Sequence, residues 1–170
     1  MLRKAFPLYL SKFVIMFPGG FNHSYNQYLK LRGFDPSASK LSILLRALIG
    51  SWFEPGFHNF WRVWHTGLGH ILYRLYIVLG GNRFRVFSTY LVFLLCGMFH
   101  DLLVVLIFRQ PFIAFTISFS LFGIITILNR SIEGLISQDN WPKLLNFIIN
   151  VLMLSGPIYF AVQLQFEIFR

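Results

Sequence analysis

Charge is scarce in this chain. Of its 170 residues only 12% are charged, six Asp or Glu against fifteen Lys or Arg. A soluble domain carries about 25%. With 56% hydrophobic residues, 19% aromatic residues and 21 Phe, too little polar surface exists to cover a globule in water, so lipid or large partner surfaces must cover the rest. Cysteine is nearly absent: Cys96 is the only one, set in an apolar run. That excludes an internal disulfide framework and leaves the redox compartment undetermined, and Cys96 reads as a small buried hydrophobe. A long basic run is missing too. The formal net charge of +9 would suit nucleic acid, but the basic residues are dispersed among aromatics and Leu. Juxtamembrane contact with anionic lipid accounts for them better, and no nucleic acid is expected. His58, Arg62 and His65 share a helical face at i, i+4 and i+7, yet no Cys or carboxylate cluster completes a metal site, and none is expected. Arg3 and Lys4 could open a signal peptide, but Pro7, Lys12 and Pro18 interrupt the apolar residues after them, so no cleavable leader is expected.

What is present is apolar length. A bilayer span needs about 20 residues, and three stretches qualify: 86–108, interrupted only by His100 and Asp101; 111–128, without a charge; and 144–166, with Gly156 and Pro157 as a kink. Residues 109–111 form a tight connection and 129–143 a polar link. The half before Arg85 differs. Residues 8–17 are too short to span, 41–53 are amphipathic, and 57–79 mix aromatics with Arg and His. These read as interfacial or re-entrant helices, broken at Gly19-Gly20, Gly33, Pro36, Pro55 and Gly56. The expected fold is an all-α integral membrane protein, with an N-terminal interfacial segment over 1–40 and a membrane domain over 41–170. Eleven of the fifteen Lys and Arg, from Arg3 to Arg85, precede the first span; Arg130 and Lys143 join them on that side, leaving Arg109 and Arg170 across the membrane. The positive-inside rule therefore places the N-terminus in the cytoplasm, or in an organelle matrix or stroma, of a bacterial or organellar inner membrane.

The densest pattern is FWRVWHTGLGHILYRLYIVLGGNR, Phe60 to Arg83, followed by GMFHD, Gly97 to Asp101. This pair resembles the motif block of the membrane-bound O-acyltransferases, the MBOAT family, in the branch that acylates alginate and teichoic acids. There the pattern reads FWRRWHxSLSxWxRDYxYxPLGGNR, then GLWHG. Phe60, Trp61, Arg62, Trp64, His65, Leu68, Arg74, Tyr76, Ile77, Leu79, Gly80, Gly81, Asn82 and Arg83 match. The resemblance implies a truncated MBOAT-like bundle covering the C-terminal part of the family fold. It maps the presumed general base onto His100, which would take a proton from an acceptor hydroxyl as an acyl donor is attacked. An ionisable group inside a span is by default a functional candidate. His65 maps onto a second histidine along the donor side of the tunnel. No tightly held cofactor is implied, only an acyl donor if the site is active.

Plainer readings stand beside these. His100 and Asp101 can be a neutralised polar pair. His65, Trp61 and Trp64 can anchor a helix at the headgroup level, with Arg62 and Arg74 on lipid phosphates. His23 reads as solvated in a polar loop, and the GGNR sequence as a polar turn ahead of a span. The chain also departs from the family: Phe99 and Asp101 replace Trp and Gly, and Leu75 replaces Asp. A carboxylate beside the base would alter its basicity. Three spans cannot enclose a tunnel unaided. The sequence therefore favours a non-catalytic accessory subunit of a larger membrane complex, surrounded by other subunits and lipid. The alternative is an active O-acyltransferase whose tunnel a partner chain or second copy completes.

Overall fold

The structure, a computed structural model, describes residues 24–81, 83–133 and 141–169. Met1 and its expected side of the membrane, the stretch 8–17, His23, Asn82, the inner part of the polar link and Arg170 lie outside the described residues. Seven helices are present and no strand among the described residues: α1 (Tyr25–Leu31), α2 (Lys40–Ser51), α3 (Phe57–Val63), α4 (Thr66–Val78), α5 (Arg85–Phe108), α6 (Ala114–Glu133) and α7 (Lys143–Ile168). The last three are long and apolar enough to cross a membrane, so the protein is an all-α membrane protein.

The start of each short helix follows from its sequence. Ser24 and Gln27 form a capping box at α1, the Ser24 hydroxyl accepting from the Gln27 N–H at 3.4 Å and the Gln27 Oε1 accepting from the Ser24 N–H at 2.9 Å. Ser39 accepts from the Ser42 N–H at the start of α2. The stretch 57–79 is two helices rather than one. His65 is extended, with φ −147 and ψ 103, and its Nδ1 accepts from the Leu68 N–H at 3.0 Å. It does the work that Ser or Asp usually does at an N-cap. The shared helical face of His58, Arg62 and His65 is therefore broken at Trp64. Helix α4 ends in a Schellman motif: the Gly80 N–H donates to Ile77 O at 3.0 Å and the Gly81 N–H to Tyr76 O at 2.9 Å, with Gly80 at φ +78. The GG of the GGNR sequence is thus a helix stop, reinforced where the Ser88 hydroxyl donates to Leu79 O at 2.8 Å.

The spans are antiparallel neighbours. At Gly97 the crossing of α5 and α6 is so close that a Cβ would lie 2.7 Å from the Phe115 carbonyl oxygen, as small residues allow between membrane helices. One turn later Asp101, 6% exposed, accepts from the Phe115 N–H at 2.9 Å and the Thr116 N–H at 2.7 Å. It caps α6 from the neighbouring helix. This helix begins at Ala114 rather than Pro111, because the connecting segment is held elsewhere: Gln165 on α7 accepts from the Ile113 N–H at 2.8 Å and donates to Pro111 O at 3.1 Å. It continues to Glu133 rather than stopping at Leu128, because Asn129 and Glu133 both engage His58 on α3. The expected polar link is helical over that last turn.

Helices α1–α4 pack on the bundle from the end where Arg85, Arg130 and Lys143 lie. Asn150 on α7 donates to the carbonyls of Trp52 and Glu54, both at 3.1 Å. An aromatic cluster of Phe57, Phe60, Phe93 and Phe122, with Trp61, Trp64 and Phe119 against it, joins α3 to α5 and α6. Elsewhere the spans are bare. Ile107 is 70% and Tyr159 69% exposed, and only 22% of each span's most apolar stretch is buried.

Candidate functional site

A cavity of about 120 Å³ lies where α1, α3 and α4 meet the middle of α5. Its wall includes His65, His100, Cys96, Trp61, Arg62 and Arg32. The two histidines mapped by the resemblance thus border one space, although they stand on different helices. Their ring nitrogens are in complementary states. His100 Nδ1 lies 2.6 Å from the Cys96 carbonyl oxygen, one helical turn back. A carbonyl only accepts, so in the neutral ring Nδ1 carries the proton and Nε2 the lone pair. Stacking of the ring on Phe119, with centroids 5.2 Å apart, and contact with Phe115 fix its plane. At His65 the order is reversed. Nδ1 accepts from the Leu68 backbone, which leaves Nε2 as the N–H donor. One ring can take a proton; the other can donate a hydrogen bond.

The GMFHD pentapeptide and the Cys96 before it serve two faces of α5. Gly97 and Asp101 make the junction with α6. Cys96 and His100, also one turn apart, border the cavity. Asp101 is occupied by two backbone N–H groups of α6, so its presence beside the histidine is explained by capping.

Trp61 and Trp64 belong to the aromatic cluster and border the cavity together with Arg62. The Trp61 indole N–H is buried and has no hydrogen-bond partner among the described residues. A buried donor left this way is costly. Arg74, grouped with these three in the sequence, stands apart on the exposed side of α4. Two residues not singled out from the sequence complete the polar end. The Arg32 guanidinium sits 5.1 Å from the centroid of the Tyr28 ring, and both residues border the cavity. Loss of solvent pulls the Arg32 pKa down to about 10, with Tyr28 opposing that shift and the like charge of Arg62 adding to it. Burial likewise pushes the Tyr28 hydroxyl up. The cavity is therefore apolar along α5 and cationic toward α1 and α3. A signal for Tyr28 and Arg32 was available in the capping box at Ser24, which places both on one short helix and its C-cap.

The remaining histidines are engaged differently. His58, buried, has Nδ1 2.9 Å from Asn129 Oδ1 and Nε2 3.1 Å from Glu133 Oε2. His70 packs its ring against Tyr25 and Tyr28. No group of three or more His, Cys, Asp or Glu suited to a metal ion occurs among the described residues. Comparison with protein-family models, curated proteins and solved structures finds no match to this chain.

Proposed function

We propose that the chain forms part of a membrane-embedded acyl-transfer site of the O-acyltransferase type. A single observation carries this reading: His65 and His100 border one cavity, each held through Nδ1, which leaves Nε2 an acceptor on His100 and a donor on His65. In the proposed reaction, His100 Nε2 takes the proton of an acceptor hydroxyl as that oxygen attacks the acyl carbonyl carbon. The bond from carbonyl to leaving group then breaks, and the departing group takes the proton back from His100. The His65 Nε2–H can steady the carbonyl oxygen as it gains charge. A cavity of about 120 Å³ admits the reacting groups but not a whole amphiphile. The bare faces of α5, α6 and α7 leave room for a partner chain, a second copy or lipid to complete the walls. The site would work in a bacterial or organellar inner membrane, with the Arg85 and Arg130 end on the cytoplasmic or matrix side.

A second reading, a non-catalytic accessory subunit of a larger membrane complex, is favoured by those same bare faces. It is also favoured by the use of Gly97 and Asp101 for helix packing. The two readings part on one experiment. The assembly is purified in mild detergent, what co-purifies is identified, and acyl transfer to a hydroxyl acceptor is assayed. Loss of transfer in His100→Ala with the assembly intact supports the first reading. Unchanged function of the assembly supports the second.

A further inference from the structure

A second, smaller cleft opens at the basic end of the bundle, between the start of α5 and the end of α6. It is lined by Arg85, Val86, Thr89, Thr126 and Arg130, with Tyr76 behind them. Three independent features give it one chemical character. Two arginines from neighbouring spans share it, which concentrates positive charge at one point. Helix α5 begins there, and its N-cap, Phe84, offers no side-chain acceptor to the first-turn N–H groups. The positive end of a 24-residue helix is therefore left to other acceptors. Finally, Thr126 is 1% exposed, and its hydroxyl has no hydrogen-bond partner among the described residues although it borders the cleft. Donors and positive charge converge, with Glu133, one turn beyond Arg130 on α6, acting on Arg130 as well as bonding His58.

Size and depth narrow the occupant. The cleft measures about 20 Å³, little more than the roughly 10–15 Å³ that one water requires. It takes the oxygens of an anion and no hydrocarbon chain. It lies at the ends of two spans, where the headgroups of a bilayer sit. Val86, Phe87 and Leu128 beside it are each more than half exposed, which offers apolar surface for chains running toward the membrane centre. We propose that this cleft holds the phosphate of an anionic phospholipid, bound by Arg85 and Arg130, with the Thr126 hydroxyl donating and the acyl chains lying along α5 and α6. The site is separate from the histidine cavity and does not depend on its chemistry. Charge-assisted bonds from guanidinium to phosphate are the strong class of hydrogen bond, and the headgroup supplies an acceptor for the Thr126 hydroxyl, which has none among the described residues.

The test uses the full chain in its assembly, reconstituted in phosphatidylcholine vesicles with trace spin-labelled phosphatidylglycerol or spin-labelled phosphatidylcholine. The expected result is a preference for phosphatidylglycerol of about tenfold or more. Arg85→Gln with Arg130→Gln should abolish it, and Arg109→Gln at the other end of the bundle should keep it. Thr126→Val should weaken the preference several-fold without lowering thermal stability in pure phosphatidylcholine, because it removes a hydroxyl that has no partner there. A phosphatidylglycerol preference that survives in the double arginine variant overturns the proposal. So does displacement of the lipid by about 10 mM inorganic phosphate, near the upper end of weak, millimolar affinities, which would mark a site for soluble anions. If the arginine variant fails to fold, Thr126→Val decides: an unchanged preference in that protein contradicts a lipid phosphate at this hydroxyl.

Discussion

His58 and His100 sit on the same small molecule in opposite situations. His58 bridges α3 to α6 with both ring nitrogens on side-chain oxygens, a clamp with nothing left to offer a ligand. His100 spends one nitrogen on its own helix and borders a cavity, where its other nitrogen bonds none of the described residues. His65 lies between these extremes, since one nitrogen caps α4 and its ring borders the same cavity as His100. A histidine with both nitrogens engaged inside the protein is a structural part, whereas one held by a single nitrogen at a cavity is placed to meet a ligand.

The largest effect should come from loss of the half-engaged ring. His100→Ala is expected to lower acyl transfer by the intact assembly about 10²–10⁴-fold, the usual range for a general base, while leaving the thermal unfolding midpoint nearly unchanged. Loss of stability matching the loss of rate would place His100 with His58. Asp101→Ala should act in the other direction. Two backbone N–H groups of α6 lose their acceptor, at a cost of about 1–3 kcal/mol each, and detergent unfolding should show it. Asp101→Gly, which restores the residue found in the family motif, should be destabilising for the same reason. His58→Ala should lower stability by about 1–3 kcal/mol, as expected when a buried polar network loses a member, and spare the transfer rate; an equal loss of rate would erase the contrast with His100. The smallest effect concerns the residue between. His65→Ala removes an N-cap worth about 1 kcal/mol and the ring as well. His65→Asn keeps a cap acceptor and removes only the ring, so its stability should match the wild type while transfer falls. If Asn restores both, His65 acts only as a cap.

The sequence exposed this contrast unevenly. The three spans were legible because about 20 apolar residues in a row have few other readings, and their ends moved furthest where a partner from elsewhere in the chain intervened. Asn129 and Glu133 look like a polar link until His58, far off in sequence, takes them into the helix. Pro111 looks like a helix start until Gln165 holds the segment in a loop. Within the site, the motif spacing marked His65 and His100, and their place on a common cavity could not be read from it. Asp101 looked like a perturber of its neighbour. Its actual partners are the backbone N–H groups of the next helix, a contact that leaves no periodic signature. Arg32 was missed for a related reason: a lone arginine after a short helix looks solvated, and only the packing of α1 on α4 desolvates it.

The claim that the two histidines act on one substrate in one cavity is tested most directly by a double-mutant cycle on acyl transfer with the intact assembly, comparing wild type, His65→Asn, His100→Ala and both together. Residues that work as a unit give strongly non-additive losses. The double variant is therefore expected to fall within about twofold of His100→Ala alone, in keeping with that behaviour. Losses that multiply, or a His100→Ala protein as active as the wild type, would contradict the claim.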